Sequence, residues 1–530
     1  MVWCFVVGLY LVFAAAGVLT RDFGYYFDDK LHVEALRVTF ESGVPLPRYY
    51  HYPSVSYIVS MLASLPSLAA HGFDGVAYAG ELSAALEREM VPAPRVLLDA
   101  RALFSALSHL AMFWAALLAW RLSASRLAAI SAALILALSF EFHYHSRIWS
   151  PDALMAQFVL LSVLCAQRYS VNARPRDLIS AAAAAGLAAG TKFPGAMALT
   201  AVGVAVLGLE FGAPGKELGL RALGRVARIC LLSFAMMLTV FLATTPGILL
   251  DYDLAHEHIA MELRHYRGEG SAGAHAPYAV AAGWDNLQRQ LAYLTVQALS
   301  YSKISAGLLF TLALLGAGWL VRRDRFQAAV LFSLPLLYVA YFSYQRMMVV
   351  RNFAVMLPFL AIAAGIGVHG LHAVIRTRAL RISALFVVAA ALCWNAVFLV
   401  RADLSILKRR SLDMPTALAE FVASTSKPLF LAPNARDLIA GRAPGLMSEG
   451  KIVVDPREAE HALVLPSDLA QLMKRPGFSK LDLRANWPGI YEPLPEGPWE
   501  VNYSYYPTWR GDVRPLRITT EYYRVLAGEQ

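Results

Sequence analysis

The chain has 530 residues, of which 58% are hydrophobic and 16% charged, with a mean hydropathy of +0.49. A soluble globular chain is nearer a quarter charged, so a water-soluble fold for the whole chain is excluded. The net charge of +9 is concentrated at the ends of apolar runs, which assigns it to membrane topology and anionic headgroups rather than to nucleic acid.

Apolar runs near the length that crosses a bilayer predict eleven spans, at 2–20, 97–120, 127–142, 152–169, 178–190, 194–211, 229–250, 303–321, 327–344, 352–372 and 382–401. The first has no basic n-region and no clear cleavage site, and reads as a retained span rather than a signal peptide. The loop after it opens with Tyr25, Tyr26, Phe27, Asp28 and Asp29. An acidic pair at a membrane surface beside aromatics is placed either to act as a general base or to cap the helix that starts near Lys30. The apolar segment 52–70 is bracketed by Pro53 and Pro66 and is followed by no basic cluster, so it reads as an interfacial or re-entrant helix.

Between the third and fourth spans lies His143-Tyr-His-Ser-Arg-Ile-Trp-Ser-Pro-Asp152. Asp152 follows Pro151, the arrangement of a helix start, and Arg147 stands in the same turn. Two histidines at i and i+2, His143 and His145, without Cys or a HExxH partner are weak grounds for a metal site. Gly190 to Pro194 kinks the fifth and sixth runs and places Lys192 in a turn; Arg346 and Arg351 occupy another. All four cysteines (Cys4, Cys165, Cys230, Cys393) fall in apolar runs, there is no CxxC, and no disulfide framework follows. Beyond 403 the composition changes to strand-like runs at 428–432, 451–455 and 462–465 mixed with helical ones and an aromatic stretch from Trp499 to Trp509, which predicts a small α/β domain.

Basic residues orient the bundle. With the N-terminus cytoplasmic, five inner loops carry fifteen of them, among them Arg121, Arg168, Arg225, Arg322 and Arg378. The three short outer turns carry four: Arg147, Lys192, Arg346 and Arg351. This is the positive-inside asymmetry. The outer loops 21–96 and 251–302 and the tail 403–530 then face the non-cytoplasmic side. The four outer cations are open to two readings, snorkelling to headgroups or binding an anionic substrate such as a lipid phosphate.

Several motifs occur in a particular order: Asp28-Asp29; Ser42-Gly43 to Pro47 and then His51-Tyr52-Pro53; Leu98-Asp-Ala-Arg101; Ser146 to Leu154 with Asp152; Gly186 to Gly195 with Lys192; and Arg346 to Pro358. In this the chain, over roughly 2–400, resembles the polyprenyl-phosphate-dependent glycosyltransferases of the GT-C superfamily. It is most similar to the family 39 group of protein O-mannosyltransferases and lipid A aminoarabinose transferases. It departs from the pattern in having Asp-Asp where Asp-Glu is usual, and His51-Tyr52-Pro53 where a Lys-Pro-Pro variant supplies a phosphate ligand, so that role falls to Arg48 or His51.

The resemblance implies an all-α polytopic membrane protein of GT-C type with a transmembrane catalytic domain over 1–402, to which the pattern of the tail adds a soluble α/β periplasmic domain over 403–530. It also implies inverting transfer of a sugar from a polyprenyl-phosphate donor to a lipid, glycan or protein acceptor hydroxyl, in a bacterial inner membrane. Asp28 would be the general base, with Asp29 and Asp152 completing the acidic set. Arg48, His51, Arg147, Lys192, Arg346 and Arg351 are the phosphate ligands, and Tyr26, Tyr52 and His145 line the substrate. Metal dependence stays open between a divalent cation and no cofactor. A lipid or lipid-linked sugar flippase is the alternative, and would place ionisable residues mid-span along a path.

Overall fold

A computed structural model describes residues 2–22, 27–87, 94–211, 219–269, 279–409, 419, 421–425, 427–442, 444–448, 452–464, 491–493 and 516–519. Its contacts divide the chain into two units: Met1–Arg21 with Tyr25–Asp403, and Asp22–Gly24 with Leu404–Gln530.

The first unit is helical. In chain order it comprises α1 (Val2–Leu19), α2 (Phe27–Ser42), α3 (Val55–Ala70), α4 (Gly75–Glu87), α5 (Arg95–Ser123), α6 (Arg126–Ala137), α7 (Phe140–Arg147), α8 (Pro151–Asn172) and α9 (Pro175–Thr191). These are followed by α10 (Leu199–Phe211), α11 (Leu220–Thr244), α12 (Gly247–Leu250), α13 (Tyr252–Tyr266), α14 (Trp284–Val296), α15 (Lys303–Arg323), α16 (Arg325–Ser343), α17 (Leu357–Val374) and α18 (Arg378–Arg409). Short 3₁₀ turns, Phe193–Ala198 and Val350–Met356, lead into α10 and α17. Among the described residues nine helices are long and apolar enough to cross a membrane, or up to eleven if two bent pairs each count as one span.

Two expected apolar segments are bent pairs of helices rather than single straight ones. The expected span 127–142 is two helices, α6 and α7, meeting at 60°. Leu138 closes α6, and the Ser139 side chain accepts from the Phe142 amide to start α7 afresh. The expected interfacial segment 52–70 is α3, and it turns through 107° into α4. Its Ser56, Ser60, Ser64 and Ser67 are buried while Ile58, Leu62 and Leu65 are exposed. A helix with its hydroxyls inside and its aliphatics outside suits an apolar solvent, not water. The expected run 178–190 is α9, 17 residues long, and the chain breaks at Lys192 before the 3₁₀ turn. The expected span 229–250 is α11, ending at Thr244, with the separate turn α12 after Pro246.

Helix ends follow local chemistry. α5 and α8 close on left-handed Ala124 (φ 56°) and Ala173 (φ 53°). Asp324 accepts from the amides of Phe326 and Gln327, both at 3.0 Å, at the start of α16. Between spans, lipid gives no hydrophobic drive for association, so close packing of small residues carries it. A Cβ built on Gly316 or Gly367 would strike backbone of the facing helix, at Ala363 and Leu312 respectively, so α15 and α17 touch main chain to main chain.

The second unit holds a five-stranded sheet of β1 (Leu429–Leu431), β2 (Ile452–Val453), β3 (His461–Val464), β4 (Tyr491–Pro493) and β5 (Leu516–Thr519), in the order β2-β1-β3-β5-β4. β1 runs parallel to β2 and β3, and β5 antiparallel to β3 and β4. Leu429, Leu431 and Leu463 pack with Ala435 and Ile439 of the helix Pro433–Arg442. The predicted strands coincide with β1, β2 and β3, and the aromatic stretch Trp499 to Trp509 lies outside the described residues.

Gly367→Val is expected to destabilise the bundle by about 1–3 kcal/mol through overpacking against α15. It should lower the thermal unfolding midpoint in detergent, and an unchanged midpoint would contradict the backbone-to-backbone contact.

Candidate active site

Antiparallel helices return their polar ends to one plane. α8 begins at Pro151-Asp152, and Ser150 Oγ donates to Asp152 Oδ2 at 2.7 Å. α9 runs back beside α8 and ends at Lys192, whose amide still bonds Ala188 O at 3.0 Å. Lys192 Nζ thereby reaches Asp152 Oδ1 at 2.5 Å. Each charge sits at the helix end whose dipole favours it, the carboxylate at an N-terminus and the ammonium at a C-terminus. Both side chains are buried.

The turn before α17 adds two more groups. Lys192 Nζ donates to Asn352 Oδ1 at 2.7 Å, Asn352 Nδ2 donates to Tyr266 Oη at 3.0 Å, and Tyr338 Oη donates to the Asn352 carbonyl at 2.7 Å. Arg351 Nη2 donates to Tyr52 Oη at 2.9 Å, and its Nε lies 3.9 Å from Asp152 Oδ2. Lys192 Nζ stands 5.7 Å from the Tyr52 ring centroid. Two cations therefore converge on one carboxylate between two tyrosines, and such a setting attracts an anion.

The first acidic motif is anchored beside it. Asp29 is buried at the start of α2 and pairs with fully buried Arg101 of α5 at 2.6 Å, while Arg101 Nη1 donates to Arg21 O at 2.8 Å. This ties the ends of α1, α2 and α5 together. Asp28 is in the first helical turn of α2, and its side chain and the whole of Tyr26 lie outside the described residues. One turn after Asp29, the His32 ring stacks on Trp149 at 5.1 Å, and Trp149 Nε1 donates to Ser60 Oγ at 2.7 Å.

The other expected residues have different surroundings. Arg147 is buried and bonded to Asp403 Oδ1 at 2.5 Å and Thr20 Oγ1 at 3.0 Å, so it joins α7 to the ends of α1 and α18. His145 lies 3.3 Å from Glu141, a buried carboxylate that accepts from Tyr293 at 2.9 Å and Tyr301 at 2.5 Å. Arg48 and Arg346 are exposed; Arg346 contributes its backbone, which bonds Tyr266 O and Val280 N. His51 bonds Glu262 at 2.9 Å and stacks on His258 at 4.5 Å, which accepts from the Tyr50 amide at 3.1 Å. Burial alone would raise the Glu262 carboxyl, but the His51 hydrogen bond and the charges of His51, His265 and Lys192 hold it below its usual value. Burial first, then His51, lowers His258.

Asn352, Tyr266, Glu262 and His32 are members of this region that the sequence reading did not single out. Asn352 was adjacent to a named residue. Tyr266 and Glu262 carry no motif of their own, being four residues apart on a polar outer helix. As for a divalent cation, Asp152 already gives its oxygens to Lys192 and Ser150. No group of three or more His, Cys, Asp or Glu side chains among the described residues is placed to hold a metal ion.

Residues 97–213 match the family model for dolichyl-phosphate-mannose-protein mannosyltransferase. That stretch holds Arg101, Asp152 and Lys192, and the match bears out the family resemblance where it applies. Similar solved structures include ArnT from Cupriavidus metallidurans bound to undecaprenyl phosphate, at 14% identity, covering 97% of this chain and 98% of that one, with TM-score 0.49. Another is the archaeal oligosaccharyltransferase AglB from Archaeoglobus fulgidus in complex with an inhibitory peptide and a dolichol-phosphate, at 13% identity, 86% and 65% coverage and TM-score 0.45. No curated protein matches the chain by sequence.

Removing one partner of a buried pair strands the other charge at a cost of about 3–5 kcal/mol. Arg101→Met is therefore expected to lower the unfolding midpoint sharply, and adding Asp29→Leu should restore part of it; a double variant no better than the single would refute the pairing. Acid should also weaken the fold. Glu262 and His258 both have depressed values in the folded state, so the unfolded chain binds more protons. Stability is full above the unfolded value of each group and is lost as pH falls, first below 6.5 for His258 and then below 4.5 for Glu262. Unfolding midpoints from pH 7 to 4 should decline, with the lower part of the decline flattened in Glu262→Gln.

Proposed function

We propose that this chain is a membrane glycosyltransferase that moves a sugar from a polyprenyl phosphate to an acceptor hydroxyl. The observation that carries the reading is the convergence of Lys192 and Arg351 on Asp152 at one end of the bundle, where α8 starts and α9 ends. The family match over 97–213, which includes two of these three residues, supports it.

In the proposed reaction Asp28 takes the proton of the acceptor hydroxyl. The hydroxyl oxygen forms a bond to the anomeric carbon from the face opposite the phosphate. The carbon–oxygen bond to phosphate breaks, the electron pair leaves with the phosphate, and the anomeric configuration inverts. Lys192 and Arg351 offset the charge that grows on the leaving group, held beforehand by Asp152, Asn352 and Tyr52. Arg147, tied to Asp403 and Thr20, instead fixes the helix ends around the site. The asymmetry of Arg and Lys supports a non-cytoplasmic position for this end, which in a bacterium is the periplasmic face of the inner membrane.

Purified protein in nanodiscs would be incubated with a panel of radiolabelled polyprenyl-phosphate sugars, and sugar released or transferred would be counted. Asp28→Asn is expected to lower turnover about 10²–10⁴-fold and Arg351→Met about 10²–10³-fold, with expression and unfolding midpoint kept. Undiminished transfer by Asp28→Asn would remove it as the base. Wild type inert towards every donor, but moving labelled lipid between leaflets, would establish the flippase instead.

A further inference from the structure

His32 presents a polar atom for which nothing among the described residues accounts. The residue is 5% exposed, and its Nε2 is buried with no hydrogen-bond partner among the described residues. Its other ring nitrogen is used: the imidazole bonds the Trp149 backbone, in the sense that favours a proton on the ring. Nδ1 thus carries the hydrogen and donates to the Trp149 carbonyl, which leaves a lone pair on Nε2. The ring is clamped flat, stacked on Trp149 at 5.1 Å with 11° between planes, and facing Tyr52 at 6.4 Å and 22°. Trp149 is itself fixed by Ser60, and Tyr52 by Arg351.

A buried acceptor without a donor is costly, and native structures rarely retain one without a reason. Here it adjoins the residues already placed around the phosphate, because Tyr52 is shared by His32, Arg351 and Lys192. Burial, then the Arg351 charge, pushes the His32 imidazole down to about 3, so it stays neutral throughout the working pH range. A neutral ring does not compete with Lys192 and Arg351 for the anion. It can accept a hydrogen bond, and the hydroxyls of a sugar or an alcohol are donors suited to it.

We propose that His32 is a substrate-positioning residue whose Nε2 accepts a hydrogen bond from a substrate hydroxyl, on the transferred sugar or on the acceptor, beside the Lys192–Arg351 site. The assignment rests on the glycosyl-transfer reading above. It deepens that reading by naming a contact that distinguishes hydroxylated from deoxygenated substrates. A site built to accept from a hydroxyl discriminates against the analogue that lacks it.

The test uses the full chain in nanodiscs with whichever labelled polyprenyl-phosphate sugar the wild type turns over, and with deoxy analogues of that donor and of its acceptor. His32→Phe keeps a flat ring between Trp149 and Tyr52 and removes the lone pair; His32→Gln restores an acceptor at a similar reach. The Phe variant is expected to lose about 10- to 100-fold in kcat/KM, and the Gln variant to recover part of it. One deoxy analogue, of the donor or of the acceptor, should cost the wild type a similar factor and cost His32→Phe almost nothing further. If the hydroxyl belongs to the sugar, donor hydrolysis without acceptor falls in parallel with transfer. If it belongs to the acceptor, hydrolysis is kept and only transfer falls, with a raised KM for acceptor. Wild-type turnover with His32→Phe and His32→Gln both within twofold of it overturns this inference alone. A wild type inert towards every donor overturns the glycosyl-transfer reading and takes this inference with it.

Discussion

The buried pair between Asp152 and Lys192 is the constraint on which the site depends. Two charges removed from water lose several kcal/mol of solvation each, and a single contact does not reliably return it. This pair has more than a single contact. Ser150 and Lys192 satisfy the two oxygens of Asp152, and Asn352 takes a second ammonium hydrogen. The start of α8 and the end of α9 supply partial charges of the right sign. The antiparallel packing of α8 on α9 brings those two ends level. A shift of one helical turn between them would strand both charges, so the pair sets the register of the helices that carry it.

The same arrangement recurs around it. Asp29 with Arg101 joins the starts of α2 and α5, and Arg147 with Asp403 joins α7 to α18. Glu141 with Tyr293 and Tyr301 fastens the chain around α14 to α7. Each of these links ties together elements distant in sequence, and each lies at a helix end rather than in the apolar middle. Dipoles and charges fixed before substrate arrives need no reorganisation during reaction, which is where electrostatic stabilisation of a leaving phosphate is most effective. Rigidity at this end and simple packing of small residues elsewhere are complementary features of one bundle.

The spans, their approximate ends and the first strands of the tail were legible because each rests on a local pattern: apolar length, a Pro at a helix start, a short apolar run bounded by polar residues. Asp152 and Lys192 were legible as helix-end residues for the same reason, since each stands at a turn between two apolar runs. Arg147 looked like Lys192 in sequence, a lone cation against the positive-inside trend. What separates them is the identity of the carboxylate that folds back, Asp403 in one case and Asp152 in the other, and a partner 256 residues away leaves no mark on the local pattern. His32, Tyr266 and Asn352 were silent because an uncharged side chain on an outer helix or turn has no signature until its neighbours are known. The break between α6 and α7 was missed because Ser139 as a cap looks in sequence like an ordinary small polar residue within a span.

The placement of polar groups fits the proposed chemistry at a membrane surface better than transport through it. A transport path needs ionisable or polar side chains lined up through the bilayer, commonly at breaks in the middle of helices. Here the charged pairs gather where α1, α5, α7, α8, α9, α17 and α18 begin or end. The deeper polar residues are bonded to one another: His109 to the Ser105 carbonyl at 2.7 Å and to His143 at 3.2 Å, His143 in turn to Asp403 at 3.3 Å, and Gln157 to Trp114 at 3.3 Å. α15 meets α17 through glycine and aliphatic residues, which leaves no room between them for a solvated ion. On the glycosyl-transfer reading, a headgroup phosphate would reach the level of the helix ends without leaving its leaflet, so a site there would work on a lipid whose chain stays in the membrane. That geometry asks for no large motion of the bundle, and a structure whose helix ends are tied by buried ion pairs is poorly suited to provide one.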